Sequence, residues 1–119
     1  MALASDIMKG GFSAMSAKAI QGQTNGAVAA AGTAQGSATA LTMSVNAVTS
    51  GTGGVILPSA EINDEVDICN LSGATITVYP PSSERINGLP TNTGFPLANN
   101  TSVKVKKFTT TRWLGNLSA

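Results

Sequence analysis

The chain of 119 residues contains no histidine and a single cysteine, Cys69. Without histidine, the usual general base and the commonest metal ligand are both missing. One cysteine cannot form an intrachain disulfide, which excludes a disulfide-stapled secreted module. Charged side chains make up 11% of the sequence and aromatics 4%. The first value is less than half of the roughly 25% usual in soluble proteins, so the surface must consist largely of short neutral groups. Such surfaces belong to proteins covered by neighbours and to many β-rich structural proteins. With a formal net charge of +1, bulk electrostatics favour neither nucleic acid nor an anionic membrane as partner. No apolar run approaches the roughly 20 residues of a membrane span. The N-terminus lacks a basic start, and Asp6, Lys9 and Lys18 interrupt any apolar core, so no signal peptide is expected. The expectation is one soluble domain made in a reducing cytoplasm.

What is present divides near residue 22. Before that point Met8, Phe12, Met15 and Ala19 fall at i, i+4, i+7 and i+11, one face of a helix. Gly10 and Gly11 interrupt it, each costing an isolated helix about 1 kcal/mol relative to Ala. Residues 1–22 are therefore read as a partly helical or extended arm that orders against another surface, the alternative being a loose terminus.

Residues 23–119 read as a single all-β domain, in which glycines recur between short Thr- and Val-rich segments. Leu41, Met43, Val45 and Ala47 share one parity and suggest a half-buried strand. "VILP" (55–58) reads as a short buried strand ended by Pro58. In "DEVDICN" Val66 and Ile68 alternate with polar residues, and in "ATITVYP" Ile76 and Val78 do the same. "LSGA" between them suggests a tight reversal and hence an antiparallel hairpin. "TSVKVKKF" places Val103 and Val105 inward with Lys104 and Lys106 outward, and "TRWLG" offers Trp113 as the largest single contribution to buried area. Strands at this spacing, separated by turn residues, predict a small antiparallel β-sandwich or barrel-like, jelly-roll-like domain.

No motif carries catalytic chemistry. Phosphate loops and nucleophile elbows are absent, and Cys69, with no histidine partner, reads as inert packing in a strand. Glu61, Asp64, Glu65 and Asp67 crowd one stretch; they suggest either a hard-cation site or a solvated turn and strand face, and the loop lacks the spacing of a calcium motif. Paired carboxylates also serve glycoside hydrolysis, but only Tyr79 and Trp113 could form a sugar platform. No cofactor or metal is expected. Lys104, Lys106, Lys107 and Arg112 cluster near the C-terminus; Lys104 and Lys106, on one face, are either a docking patch for an acidic partner or plain solubilising charge. No interleaved aromatics support nucleic-acid binding.

"YPPSSERINGLPTN" (79–92) opens with two prolines that end a strand after Tyr79, since neither has an N–H to donate. Asn87-Gly88 supplies a reversal. Ile86, Leu89 and Phe95 then lie near a loop tip, covered either by a neighbouring subunit or by the domain's own core.

The series "VILP", "DEVDICN", "TITVYPP" (75–81), "INGL" (86–89) and "TRWLG" (111–115) is similar to a module of short virion proteins of tailed bacteriophages, over roughly residues 27–115. The resemblance implies a structural, non-enzymatic role: a decoration or cement protein that binds the major capsid protein on the capsid exterior and stabilises the mature head. It also implies self-association, as a homotrimer, and a place in the virion. The alternative it leaves open is a carbohydrate-binding or structural module of a tail or fibre protein. The chain begins with Met and ends soon after its last expected strand, which favours the first. Candidate partner-binding residues are Met8, Phe12 and Met15 of the arm, Ile86, Leu89 and Phe95, and Lys104 and Lys106.

Overall fold

The computed structural model describes residues 24–118, and within them all regular structure apart from one short 3-10 turn (Gln35–Ser37) is strand. Ten strands follow in chain order: β1 (Thr24–Ala30), β2 (Thr39–Ala40), β3 (Val45–Gly51), β4 (Gly54–Ile56), β5 (Glu65–Asn70), β6 (Ile76–Tyr79), β7 (Arg85–Ile86), β8 (Phe95–Leu97), β9 (Thr101–Lys107) and β10 (Arg112–Ser118). They form a six-stranded sheet in the order β1-β3-β5-β9-β10-β7 and a four-stranded sheet in the order β2-β4-β6-β8. The all-β expectation for this part of the chain is met. The arm residues Met8, Phe12 and Met15 lie outside the described residues.

Up to β8 the chain visits the two sheets in strict alternation, odd strands in one and even strands in the other. This winding explains why β1, β3 and β5 pair in parallel, as do β2, β4 and β6. Parallel neighbours need a long crossover, and here each crossover is itself a strand of the opposite sheet. The expectation of an antiparallel domain is thus corrected. Antiparallel ladders are confined to β5 with β9, β9 with β10, and β6 with β8, and β7 joins β10 in parallel.

The central hairpin is also corrected. The strands 65–70 and 76–79 belong to different sheets and do not pair. The cause is the corner between them. Asn70 is buried, and its Nδ2 donates to the carbonyls of Ala74 (2.7 Å) and Leu97 (2.8 Å). Its Oδ1 accepts from the Ser72 amide (3.0 Å) and hydroxyl (2.7 Å). These bonds satisfy backbone groups of the corner itself, at Ser72 and Ala74, and of β8 at Leu97, and Gly73 takes a left-handed conformation, φ 91°, in the bend. The chain therefore leaves one sheet and enters the other.

A third correction concerns the stretch 41–47. Leu41 is buried but lies between strands, while β3 begins only at Val45. Within β3 the inward residues are Asn46 and Val48, and Val45 is 37% exposed. Asn46 takes an inward place with its Nδ2 donating to the carbonyls of Met43 (2.9 Å) and Asp67 (3.3 Å), which offsets part of the cost of burying the amide, while its buried Oδ1 has no partner among the described residues.

The other expected core positions hold. Val66, Ile68, Val103, Val105 and Trp113 of the larger sheet meet Val55, Ile76, Val78 and Leu97 of the smaller in one buried cluster. "VILP" yields β4, with Val55 and Leu57 buried. β6 ends at Tyr79, and Pro80 and Pro81 follow it into the interior.

Candidate functional site

Among the described residues no three His, Cys, Asp or Glu side chains gather to hold a metal. The acidic stretch is dispersed by its own structure. Asp64 Oδ2 accepts from the Glu61 amide (2.9 Å) within a turn, whereas Glu65 and Asp67 point outward from β5. There they stand across from Lys106 and Lys104 of β9, with Lys104 Nζ 3.8 Å from Glu65 Oε2. The two candidate docking lysines are thus set against two carboxylates of the same sheet face. Exposed pairs of this kind contribute about 0–1 kcal/mol; their result here is to leave that face close to neutral. Cys69 is half-buried on the same face, between Ala47 and Ser102.

Lys107 continues the inward parity of Val103 and Val105, so it leaves the surface cluster of bases and enters the interior. Its Nζ lies 3.2 Å from Glu84 Oε1 and 5.9 Å from the centre of the Trp113 ring. Glu84 Oε1 also accepts from Trp113 Nε1 at 2.8 Å. A charge buried in this way must be paired and hydrogen-bonded, and Glu84 meets both needs. The stretch "SSER" therefore acts as a strap. Pro80 and Pro81 deliver it to the end of the domain, Glu84 fastens it to Lys107 and Trp113, and β7 seals the edge of β10.

Immediately after the strap lies an apolar groove that brings two sequence-predicted residues, Leu89 and Phe95, together. It measures about 450 Å³ and is lined by Asn87, Gly88, Leu89, Phe95, Pro96, Val103 and Gly115. One wall is the turn Ile86–Leu89, closed by the Leu89 amide donating to the Ile86 carbonyl (3.1 Å). Asn87 adopts φ 52° there, a conformation asparagine tolerates better than most residues. Its amide donates to the Trp113 carbonyl (2.8 Å), and its Oδ1 accepts from the Gly115 amide (2.9 Å), so the turn is pinned to β10. The opposite wall is β8, the free edge of the smaller sheet. Pro96 suits that edge because it has no N–H to leave unpaired. The floor is Val103 and Gly115. A Cβ on Gly115 would stand 3.3 Å from Val105 and 3.4 Å from Val103, so the absence of a side chain there keeps the floor low. The groove exists because the larger sheet continues through β10 and β7 while the smaller ends at β8.

The sequence-predicted residues fare differently. Leu89 and Phe95 are half-buried and share the groove. Ile86 is fully buried in the core, the second of the two coverings considered for it. Lys104 and Lys106 lie on the outer face of the larger sheet, away from the groove. Asn87, Gly88, Pro96 and Gly115 were not singled out as binding residues, although the Asn-Gly pair marked the turn that builds one wall. No helix among the described residues is long and apolar enough to cross a membrane. No family model matches the chain, and no curated protein is detectably similar to it.

Proposed function

We propose that the chain is a structural, non-enzymatic virion protein of a tailed bacteriophage that binds the exterior of the capsid through the major capsid protein and stabilises the mature head. The observation that carries this reading is an apolar groove, free of charged side chains, on a β body. An apolar surface of this kind suits contact with another protein surface. The resemblance of residues 27–115 to short virion proteins supplies the setting. The architecture belongs to the same reading: the two sheets, facing one another across a shared core, act as a small β-sandwich, wound as a coil in its first part.

A shell-binding protein acts by mass action. It binds the assembled junction and not the loose subunit, so it raises the cost of separating subunits. This requires a body that does not deform and a surface that does not attract nucleic acid, and a net charge of +1 meets the second need. Self-association, as a homotrimer, would match the symmetry axes of a shell.

The test is fractionation of virions carrying the protein into filled heads and tails, followed by heating of heads with and without it. Recovery with heads, and a lower disruption temperature for heads that lack it, is the expected result. Recovery with tails would move the protein to the tail or fibre reading, and recovery with neither would overturn the proposal.

A further inference from the structure

The groove is a half-open apolar depression on the surface of the described part of the fold. A dry cavity of roughly 150 Å³ accepts a benzene ring, so about 450 Å³ has room for several apolar side chains. Its chemistry is selective. No charged group lines it, and its one side-chain amide, Asn87, already uses Oδ1 to hold the Gly115 amide. An anion or a sugar would find few polar partners, whereas an apolar segment would lose nothing by entering.

Residues 1–22 supply such a segment, with Met8, Phe12 and Met15 at helical spacing on one face. They precede β1, and the position of β1 sets the path they must take to a groove. Thr24 lies opposite Val45, Val45 opposite Asp67, Asp67 opposite Lys104, and Lys104 opposite Asn116. The start of β1 is therefore four strand spacings of about 4.8 Å from the groove's own strand β10, roughly 19 Å in all. That path is closed on the inner face, where the adjacent row of Asn46, Ile68 and Val103 is buried. The groove faces the β7 and β8 edges, at the far side of both sheets from β1. A chain entering its own groove would have to travel around the body and turn back at the opposite edge. A second copy placed edge to edge presents its groove directly.

We propose that the Met8, Phe12 and Met15 face of one copy occupies the groove of the next, with Phe12 against Leu89 and Phe95. This contact is heterologous, the arm side of one copy meeting the groove side of another, and a heterologous contact closes into a ring when its rotation permits. The inference rests on the reading of the chain as a self-associating shell protein. It specifies the surface through which that association occurs.

The test uses the full chain. Equal amounts of nitrogen-15-labelled and unlabelled protein, each with a benzoylphenylalanine photo-crosslinker in place of Phe12, are mixed and irradiated, and the joined peptides are identified by mass. The expected result is a crosslink from position 12 to the peptide containing Leu89 and Phe95, with mixed labels showing that it joins two copies. In sedimentation of uncrosslinked protein, Phe12→Ser and Leu89→Glu should each weaken self-association by about tenfold or more, since burying one such side chain is worth at least that factor. Circular dichroism of both variants confirms that the β domain remains folded. Crosslinks confined to one copy, crosslinks to another surface, or unchanged association in both variants would overturn the inference. Arm-in-groove association in a protein that fails to bind heads would leave the inference standing and remove the capsid reading instead. Head binding by a protein whose association is indifferent to both substitutions would do the reverse.

Discussion

The two ends of this domain are held together by different means. From β1 to β6 the chain winds between the sheets, and the ladders these strands form with one another are parallel. Its buried apolar side chains are aliphatic, among them Val48, Val55, Ile68, Ile76 and Val78, and its turns are fixed by corners such as Asn70. Gly51 belongs to the same design. It sits at φ 89° where β3 meets the backbone of Ala30, which leaves no space for a Cβ. From β7 to β10 the chain instead makes a hairpin, β9 with β10, and fastens it with side chains: Trp113, Glu84, Lys107 and Asn87. The difference teaches that a wound region and a strapped region can share one core while failing in different ways. The first is broken by losing a corner, the second by losing an anchor.

Three substitutions probe that contrast. The largest loss should follow Trp113→Ala, which empties a fully buried site and deprives Glu84 and Lys107 of their partner. A cost of about 3–5 kcal/mol is expected, read as a fall in the midpoint of urea unfolding; a midpoint near that of the parent would mean that the strap does not anchor the C-terminal half. Asn70→Ala should come next. It removes the donors to the buried carbonyls of Ala74 and Leu97, at about 1–3 kcal/mol. Loss of protection from hydrogen exchange should then concentrate around the 71–75 corner and the strands beside it, and an equal loss spread across β9 and β10 would contradict the division into two regions. The smallest effect belongs to Lys104→Ala. Its pair with Glu65 is 3.8 Å long, with side chains 56% and 46% exposed, so a change of no more than about 1 kcal/mol, diminished further by salt, is expected. A large, salt-insensitive loss would mean that the outer face of the larger sheet takes part in the core.

Much of the core was legible before the structure. Val66 with Ile68, Ile76 with Val78, and Val103 with Val105 were each assigned to the buried face, and Trp113 to the interior. Alternation reports which side of a strand meets apolar surroundings, and those assignments required nothing more. Alternation does not report which strand lies alongside, and the hairpin 65–79 failed for that reason: two strands with identical patterning and a glycine between them belong to different sheets. Asn46, Asn70 and Lys107 show the complementary limit. Their residue types belong on surfaces unless a specific partner is present, and the carbonyls of Met43, Asp67, Ala74 and Leu97 and the carboxylate of Glu84 are partners that only the folded chain assembles.

The groove divides along the same line. Leu89 and Phe95 stood out as apolar residues in a polar loop, and Asn87-Gly88 as a turn, because each is a local property of a few neighbouring residues. That Val103 and Gly115 form a floor beneath them depends on the larger sheet outreaching the smaller by β10 and β7. The amino-acid sequence by itself determined an all-β body of low charge, its inward faces, and the places where strands must stop, since these follow from periodicity, backbone conformation and missing donors. The tertiary structure alone decided the winding between two sheets, the pairing of Lys104 and Lys106 with acids of the neighbouring strand, and the groove. Each of these depends on which distant segments become neighbours, and that is settled by the mutual satisfaction of buried groups contributed by the whole chain.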